Sequence, residues 1–263
     1  MICKEKWKRS RAISGITVAA SLVILVCSAH ASAAPKYPDL RSLPPSDFHL
    51  GTALVDGENH YVVRFTNLIA NAGTGPFELH GAPHFPVDGQ FDASQWIYDD
   101  TVGLTIEPVG VFAFHPSHQH FHFDGFARYE LWRKRDYDRA AAVGFSAGAP
   151  LFTSPKVSFC ILDLSRYDNA SGPPTAVYRT CSPAMEGLSA GWADVYDWTL
   201  PDQWVDVGQT PLPDGEYVMR TIADPGNIVH ESPGKADPNR ESQIANSASS
   251  PITILNGRLS AGA

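Results

Sequence analysis

The sequence predicts an all-β protein built as a single β-sandwich-like domain with long loops. Three observations favour this class: short runs rich in aromatic and β-branched residues, frequent Gly, Pro, Asn or Asp between them, and the lack of any long helical period. The chain has 263 residues, 43% of them hydrophobic, which is enough for one domain with a buried core. Function in such a domain is expected to reside on its loops.

Residues 1–33 are predicted to be a cleaved secretory signal peptide. They have a basic start, an apolar run over residues 12–27 and two Ala-x-Ala spacings before Pro35. An uncleaved membrane anchor is one alternative, because the apolar run approaches the length of a spanning helix. A lipoprotein tether at Cys27 is another, although the large residue Val26 disfavours it. Cleavage would leave a secreted or periplasmic domain over residues 35–258, with no stable membrane insertion.

The predicted mature domain is strongly acidic. Residues 1–34 contain five of the 20 basic residues and one of the 28 acidic residues, so the remainder carries a net charge of −12. Nucleic acid is therefore not an expected partner, because phosphates require a basic surface. Such a charge attracts cations such as amines, although a solvated acidic surface is the simpler explanation.

The predicted elements follow one another from a proline-rich entry segment over residues 35–50. Strands are predicted over residues 60–66, 77–79, 104–111, 121–132, 216–222 and 251–255. Short helices are predicted near residues 92–96 and 135–142. The polar stretch over residues 224–250 is expected to be a long loop or partly disordered.

Two cysteines, Cys160 and Cys181, remain after the predicted cleavage. In an oxidising compartment they are most simply expected to form one disulfide, which closes a loop of about 20 residues and stabilises the fold by about 3 kcal/mol. A two-cysteine metal site is the alternative, but the sequence has no nearby Cys-x-x-Cys spacing.

The sharpest chemical signal is a cluster of histidines. His115, His118, His120 and His122 fall within eight residues, and the last three form a His-x-His-x-His run. Alternate residues of a β-strand share one face, so three imidazoles can approach one metal ion. A straight strand would separate the outer pair by about 13 Å, so the segment is expected to bend. Imidazole suits copper, zinc, nickel or iron.

Two neighbours of the run have open roles. His115 is expected to support the metal site, to face the substrate, or to be a packed ring without a role in the chemistry. Asp124 is close enough in sequence to orient a ligand imidazole by hydrogen bonding.

The string HPSHQHFHFDGF, which begins at His115, resembles the copper-binding signature of the lysyl oxidase family. Three further stretches resemble family motifs in the same order: KVSFCILD from Lys156, GLSAGWADVY ending at Tyr196, and QWVD from Gln203 followed by PDGEY. The resemblance extends over residues 38–255, and its specificity comes from the order of four motifs.

The resemblance implies a copper-dependent amine oxidase that converts primary amines, including peptidyl lysine, into aldehydes with release of ammonia and hydrogen peroxide from dioxygen. It implies copper ligands at His118, His120 and His122. It also implies a lysine tyrosylquinone cofactor built from Lys156 and Tyr196. Without it, Lys156 would be taken for a solvated surface residue and Tyr196 for a half-buried aromatic.

The resemblance implies two further features through shorter matches. Asp194 matches a family aspartate and is expected to be a catalytic carboxylate, with a turn-capping role as the alternative. Fragments around Asp39 and Glu231, with Asn246 further on, resemble a family calcium site in degraded form.

The sequence also departs from the animal enzymes: Ser117 and Trp192 replace cysteines, and Arg128 replaces a histidine. These changes leave the substrate open. A second functional hypothesis is a non-catalytic secreted protein that binds or sequesters copper. It needs the three histidines, but it does not need Lys156 and Tyr196 to meet. A structural adhesion-type sandwich with an incidental metal is the third hypothesis.

Overall fold

Antiparallel strands and one short helix form the described part of the chain. The computed structural model describes residues 34–83, 89–154, 158–169, 172–231 and 246–261, so the predicted signal peptide lies outside it. The elements are β1 (Leu40–Ser42), β2 (Ser46–Val55), β3 (Glu58–Asn71), β4 (Phe77–Pro83), β5 (Phe91–Tyr98), β6 (Leu104–His115), β7 (His120–Phe123), β8 (Ala127–Arg133), α1 (Lys134–Ala142), β9 (Phe152–Thr153), β10 (Ser165–Arg166), β11 (Glu186–Leu188), β12 (Trp192–Tyr196), β13 (Trp204–Gly208), β14 (Gly215–Ala223), β15 (Ser247–Leu255) and β16 (Arg258–Ala261).

The strands form three antiparallel sheets. The first is organised around the long strand β3, which pairs with β1, β2, β12 and β13, while β10 pairs with β12. The second has the order β11-β4-β5-β6-β7, and the third has the order β16-β15-β14-β8-β9. The prediction of an all-β fold is confirmed. Within the described ranges, the chain forms no helix that is both long and apolar enough to cross a membrane.

Two of the local predictions were wrong in detail. Residues 92–96 are part of β5 and not a helix, because Ala93, Gln95 and Ile97 alternate inward with the period of a strand. The predicted strand over residues 121–132 is two strands, β7 and β8, separated by a turn in which Gly125 adopts φ 75°. The other predicted helix is confirmed as α1.

An aromatic core supports the second sheet beneath the histidine cluster. The rings of Phe77, Phe112 and Phe126 surround Phe123 of β7, with centroids 6.0, 5.9 and 6.5 Å from its own. All four rings are fully buried. Burial of each ring contributes about 2–3 kcal/mol, so this core fixes the strand that carries His120 and His122.

The predicted disulfide between Cys160 and Cys181 is confirmed. It uses both sulfurs, so the alternative of a two-cysteine metal site is wrong. The bond joins the segment that follows residue 158 to the loop before β11.

Replacing both cysteines with alanine is expected to lower the free energy of unfolding by about 3 kcal/mol. The unfolded chain of the variant has no crosslink, so it regains the entropy of an open loop. Urea denaturation of the C160A/C181A variant measures the change, with the reduced wild-type protein as control. Equal stability of the variant and the oxidised wild type would contradict this expectation.

Candidate metal centre

The hairpin of β6 and β7 gathers the histidines. His115 ends β6 and His120 begins β7, and the two residues pair directly across the hairpin. His118 lies in the connecting turn, where Gln119 adopts φ 58°. The expected bend is therefore a hairpin turn, and His118 reaches the cluster from the turn and not from the strand. Only His120 and His122 use the alternation of a β-strand.

Three imidazoles converge in this hairpin. One ring nitrogen from each of His118, His120 and His122 lies within 4.8 Å of the other two. The Nε2 atoms of His120 and His122 are 3.0 Å apart, a separation that two ligands of one ion adopt. Three imidazole nitrogens fit a copper or zinc ion, with coordination positions left for small ligands. The donor set therefore fits the metal that the family resemblance implies.

Hydrogen bonding fixes the buried ring of His122. Its Nδ1 lies 3.3 Å from the Ser158 hydroxyl, so its Nε2 faces the other two histidines. Such contacts orient metal-ligating imidazoles. The structure gives this role to Ser158, whereas Asp124 is exposed after β7.

His115 packs against the cluster. Its ring stacks on His122 with centroids 4.7 Å apart, and its Nδ1 lies 3.0 Å from the Ser117 hydroxyl. Ser117 also donates to Asp202 at 2.9 Å, and the Asp202 carboxylate approaches His118 Nε2 at 3.8 Å. Asp202 could not be predicted from the sequence, because it lies 85 residues from Ser117 and no motif marks it.

Tyr196 lies at the end of β12 with its phenol buried. The hydroxyl donates to the Asp194 carboxylate, and it lies 3.1 Å from the Cys160 carbonyl oxygen. Asp194 and Tyr196 are two residues apart on one strand, so they share a face of the sheet. The Asp194 carboxylate also accepts hydrogen bonds from the backbone amides of Leu162 and Val195. Asp194 is 1% exposed within a strand, which excludes the turn-capping role.

Burial shifts both ionisation equilibria in this pair. It raises the pKa of Asp194 to about 7, although the hydrogen bond from Tyr196 opposes the rise. Burial, followed by the charge of Asp194, raises the pKa of the Tyr196 phenol well above its ordinary value. The phenol therefore stays protonated at neutral pH, while the carboxyl can hold or release a proton there.

One cavity of about 250 Å³ joins the two groups of residues. Three histidines, Asp194, Tyr196 and the Cys160–Cys181 disulfide line it, together with the apolar residues Leu162, Leu164 and Leu200. A small molecule in this cavity would contact the histidine cluster and the Asp194–Tyr196 pair at the same time.

A single segment connects the strand of the histidine cluster to Tyr196. Phe159 exchanges two backbone hydrogen bonds with Phe123 of β7, at 2.8 and 3.0 Å, and its ring contacts Tyr196 with centroids 4.3 Å apart. The next residue, Cys160, offers its carbonyl to the Tyr196 hydroxyl. Lys156 lies outside the described residues, two positions before Ser158 in the sequence.

Glu186 is a second carboxyl near this site that the sequence did not mark. It is fully buried, and its Oε2 accepts the Ile161 amide at 3.1 Å. Its Oε1 has no hydrogen-bond partner in the described part of the chain. Burial raises the pKa of Glu186 to about 9, so the residue is a neutral acid at pH 7.

Glu186→Gln is expected to raise the free energy of unfolding at pH 8 by about 1–4 kcal/mol and to change it little at pH 4. The wild-type folded state retains a proton that the unfolded state loses, so wild-type stability falls as pH rises from about 4.5 to about 9. Chemical denaturation at several pH values measures the difference. An identical pH dependence in both proteins would refute this reasoning.

The residues suggested for calcium have other contacts. Both carboxylate oxygens of Glu231 accept hydrogen bonds, one from the Leu40 amide and one from the Asn246 side chain. Asp39 pairs with Arg41 at 2.6 Å. Calcium at Asp39 and Glu231 therefore stays a prediction from the resemblance, since calcium prefers such carboxylate and amide oxygens as ligands.

The fold and the site define an all-β protein in which a cluster of three histidines that could hold a metal ion lies beside a buried tyrosine–aspartate pair. The family model described as lysyl oxidase matches residues 90–244, which is more than half of the chain. The protein belongs to the lysyl oxidase family.

Similar proteins of known name support the assignment. Protein-lysine 6-oxidase of Gallus gallus is 26% identical over 180 residues, which cover 67% of this chain and 32% of the relative. The enzyme of that name from Sus scrofa is 25% identical over 67% of this chain and 54% of its own length. Lysyl oxidase homolog 1 of Homo sapiens is 28% identical over 49% of this chain and 20% of its own. The chain thus spans only a third to a half of the length of the first two relatives.

Proposed function

We propose that this protein is a secreted or periplasmic copper-dependent amine oxidase. It would convert a primary amine, dioxygen and water into an aldehyde, ammonia and hydrogen peroxide. The observation that carries this proposal is the cavity that the three histidines share with the Asp194–Tyr196 pair. A site that only stored copper would not need a buried phenol hydrogen-bonded to a carboxylate beside the metal ligands.

In this proposal, His118, His120 and His122 hold copper, and Lys156 and Tyr196 form the lysine tyrosylquinone cofactor. When present, copper supplies redox chemistry with dioxygen, and the quinone supplies an electrophilic carbonyl for the amine. Tyr196 is well suited to become such a group, because Phe159 and the Cys160 carbonyl fix its ring and hydroxyl.

Asp194 is proposed to hold and move a proton in the reaction. Its carboxylate contacts the Tyr196 hydroxyl and lines the cavity, and its pKa of about 7 suits a general base at neutral pH. The apolar residues Leu162, Leu164 and Leu200 restrict water around it.

The proposed substrate is a primary amine, including the side chain of a lysine in a peptide. The relatives named protein-lysine 6-oxidase support this class. Asp202 offers a partly exposed carboxylate beside His118, where it can attract an ammonium group that approaches the metal centre.

Asp202→Asn is expected to raise KM for a primary alkylamine about two- to fivefold with little change in kcat, because an exposed ion pair contributes modestly to binding. Steady-state kinetics with the exposed Asp138→Asn variant of α1 as control measure the change. An unchanged KM in D202N, with D138N also unchanged, would exclude Asp202 from substrate attraction.

The proposed activity can be tested on protein matured in air with Cu(II). We expect equal amounts of hydrogen peroxide and ammonia to form from a primary alkylamine and from a lysine-containing peptide, but not from a tertiary amine. Copper-loaded protein that releases neither product would contradict the oxidase and favour the copper-binding alternative.

A further inference from the structure

A second cavity lies on the opposite face of β8 from the core. Tyr129 and Leu131 of β8 belong to the main core, whereas the residues between and beside them face the other way. This outer cavity has a volume of about 300 Å³. We call it the arginine cavity, and its side chains include Arg128, Glu130, Trp132, Phe145, Thr153 and Arg220.

The charges in the arginine cavity do not cancel. Glu130 accepts from Arg128 Nε at 3.0 Å with one oxygen and from Arg220 Nη1 at 3.1 Å with the other. The Glu130 oxygen facing Arg220 also accepts the Trp132 indole N–H at 2.9 Å. One carboxylate is therefore shared between two guanidinium groups, which leaves a net positive charge in a domain that is otherwise acidic.

Both arginines retain unused hydrogen-bond donors. Arg220 is 1% exposed, and its Nε has no hydrogen-bond partner within the described ranges. Arg128 is more accessible, with 31% of its side chain exposed, and it bonds Glu130 only through Nε. The Nη pair of Arg128 thus presents the planar edge that binds two oxygens of a carboxylate.

Two aromatic rings form part of the cavity wall. The Phe145 ring lies 3.6 Å from Arg220 Cζ, and it packs against Trp132 with centroids 6.0 Å apart. Phe145 adopts φ 57°, a conformation that is unfavourable for a bulky residue. The loop after α1 therefore holds this ring over the guanidinium at a cost in backbone energy.

We propose that the arginine cavity binds the carboxylate group of a small organic acid, with Arg128 as its main anchor. The apolar part of the ligand would rest on Phe145, and the Thr153 hydroxyl lies in the same wall to donate to a ligand oxygen. The site is separate from the proposed copper centre, because no residue lines both cavities.

Titration of the full-length protein with benzoate tests this inference, by calorimetry and by saturation-transfer NMR. We expect saturable binding that weakens about tenfold or more in Arg128→Gln, because a charge-assisted double hydrogen bond is lost. Arg135→Gln removes the same charge from the exposed surface of α1 and should bind like the wild type. Benzamide, which has the same shape without the charge, should not bind.

Several results would overturn the inference. They are a lack of saturable benzoate binding, equal affinity in R128Q and wild type, or inorganic phosphate binding as tightly as benzoate. An unchanged melting temperature of R128Q establishes that the variant is folded. A carboxylate bound at copper instead would be unaffected by R128Q, so this test is independent of the proposed oxidase activity. Comparing benzoate with an acetylated dipeptide and its amide distinguishes a free acid from a peptide C-terminus.

Discussion

Replacing Tyr196 with phenylalanine is expected to abolish amine oxidation while leaving copper bound. The variant loses the one oxygen from which the quinone ring chemistry must begin, but it keeps His118, His120 and His122. Loss of the hydrogen bond to Asp194 should also lower the free energy of unfolding by about 1 kcal/mol. Peroxide release, bound copper and thermal unfolding of the purified Y196F variant measure the three effects.

Tyr129→Phe provides the matched control. Tyr129 is another fully buried tyrosine near the site, and its hydroxyl lies 3.4 Å from Asn67 and from Gln203. Its removal should have a comparable effect on stability without loss of activity. Retained oxidase activity in Y196F, or equal loss in both variants, would remove Tyr196 from the proposed chemistry.

Replacing His120 with alanine is expected to weaken copper binding more than about 100-fold and to abolish oxidation. Loss of groups that merely orient metal ligands costs about 10- to 100-fold in affinity, and loss of a ligand should cost more. His120 is partly exposed, so the truncation should disturb the core less than truncation of the buried His122. Competition with a chromophoric chelator gives the affinity.

His60→Ala is the control for this variant. Its imidazole bonds Asp206 between β3 and β13, away from the hairpin that carries the metal ligands. Copper binding should be unchanged in H60A. Equal affinity of H120A and the wild type would show that His120 is not a ligand.

The strands predicted over residues 60–66, 77–79, 104–111, 216–222 and 251–255 all lie within strands of the structure, because their alternation is local, whereas β2 and β13 were not predicted. The same locality explains the failure at residues 92–96, where a short window did not separate a strand from a helix. Only the pairing of β5 with β4 and β6 decides between them, and that pairing depends on distant residues.

The candidate site was partly predictable, because some of its residues lie close together in the sequence. The histidines and Asp194 are marked by motifs, and the spacing of the histidines indicated a bend. Gln119 in the left-handed region supplies that bend, which no composition rule identified. Asp202 and Glu186 escaped prediction, because the tertiary structure brings them to the site from segments outside the motifs. Ser158 lies within a motif, but its contact with His122 depends on the tertiary structure.

The most direct test of the account is peptide mass spectrometry of the protein after aerobic maturation with Cu(II). We expect a covalent crosslink between Lys156 and Tyr196, together with the absorbance and redox-cycling reaction of a quinone. Fully copper-loaded protein in which Lys156 and Tyr196 are both unmodified would contradict it and leave a copper-binding protein.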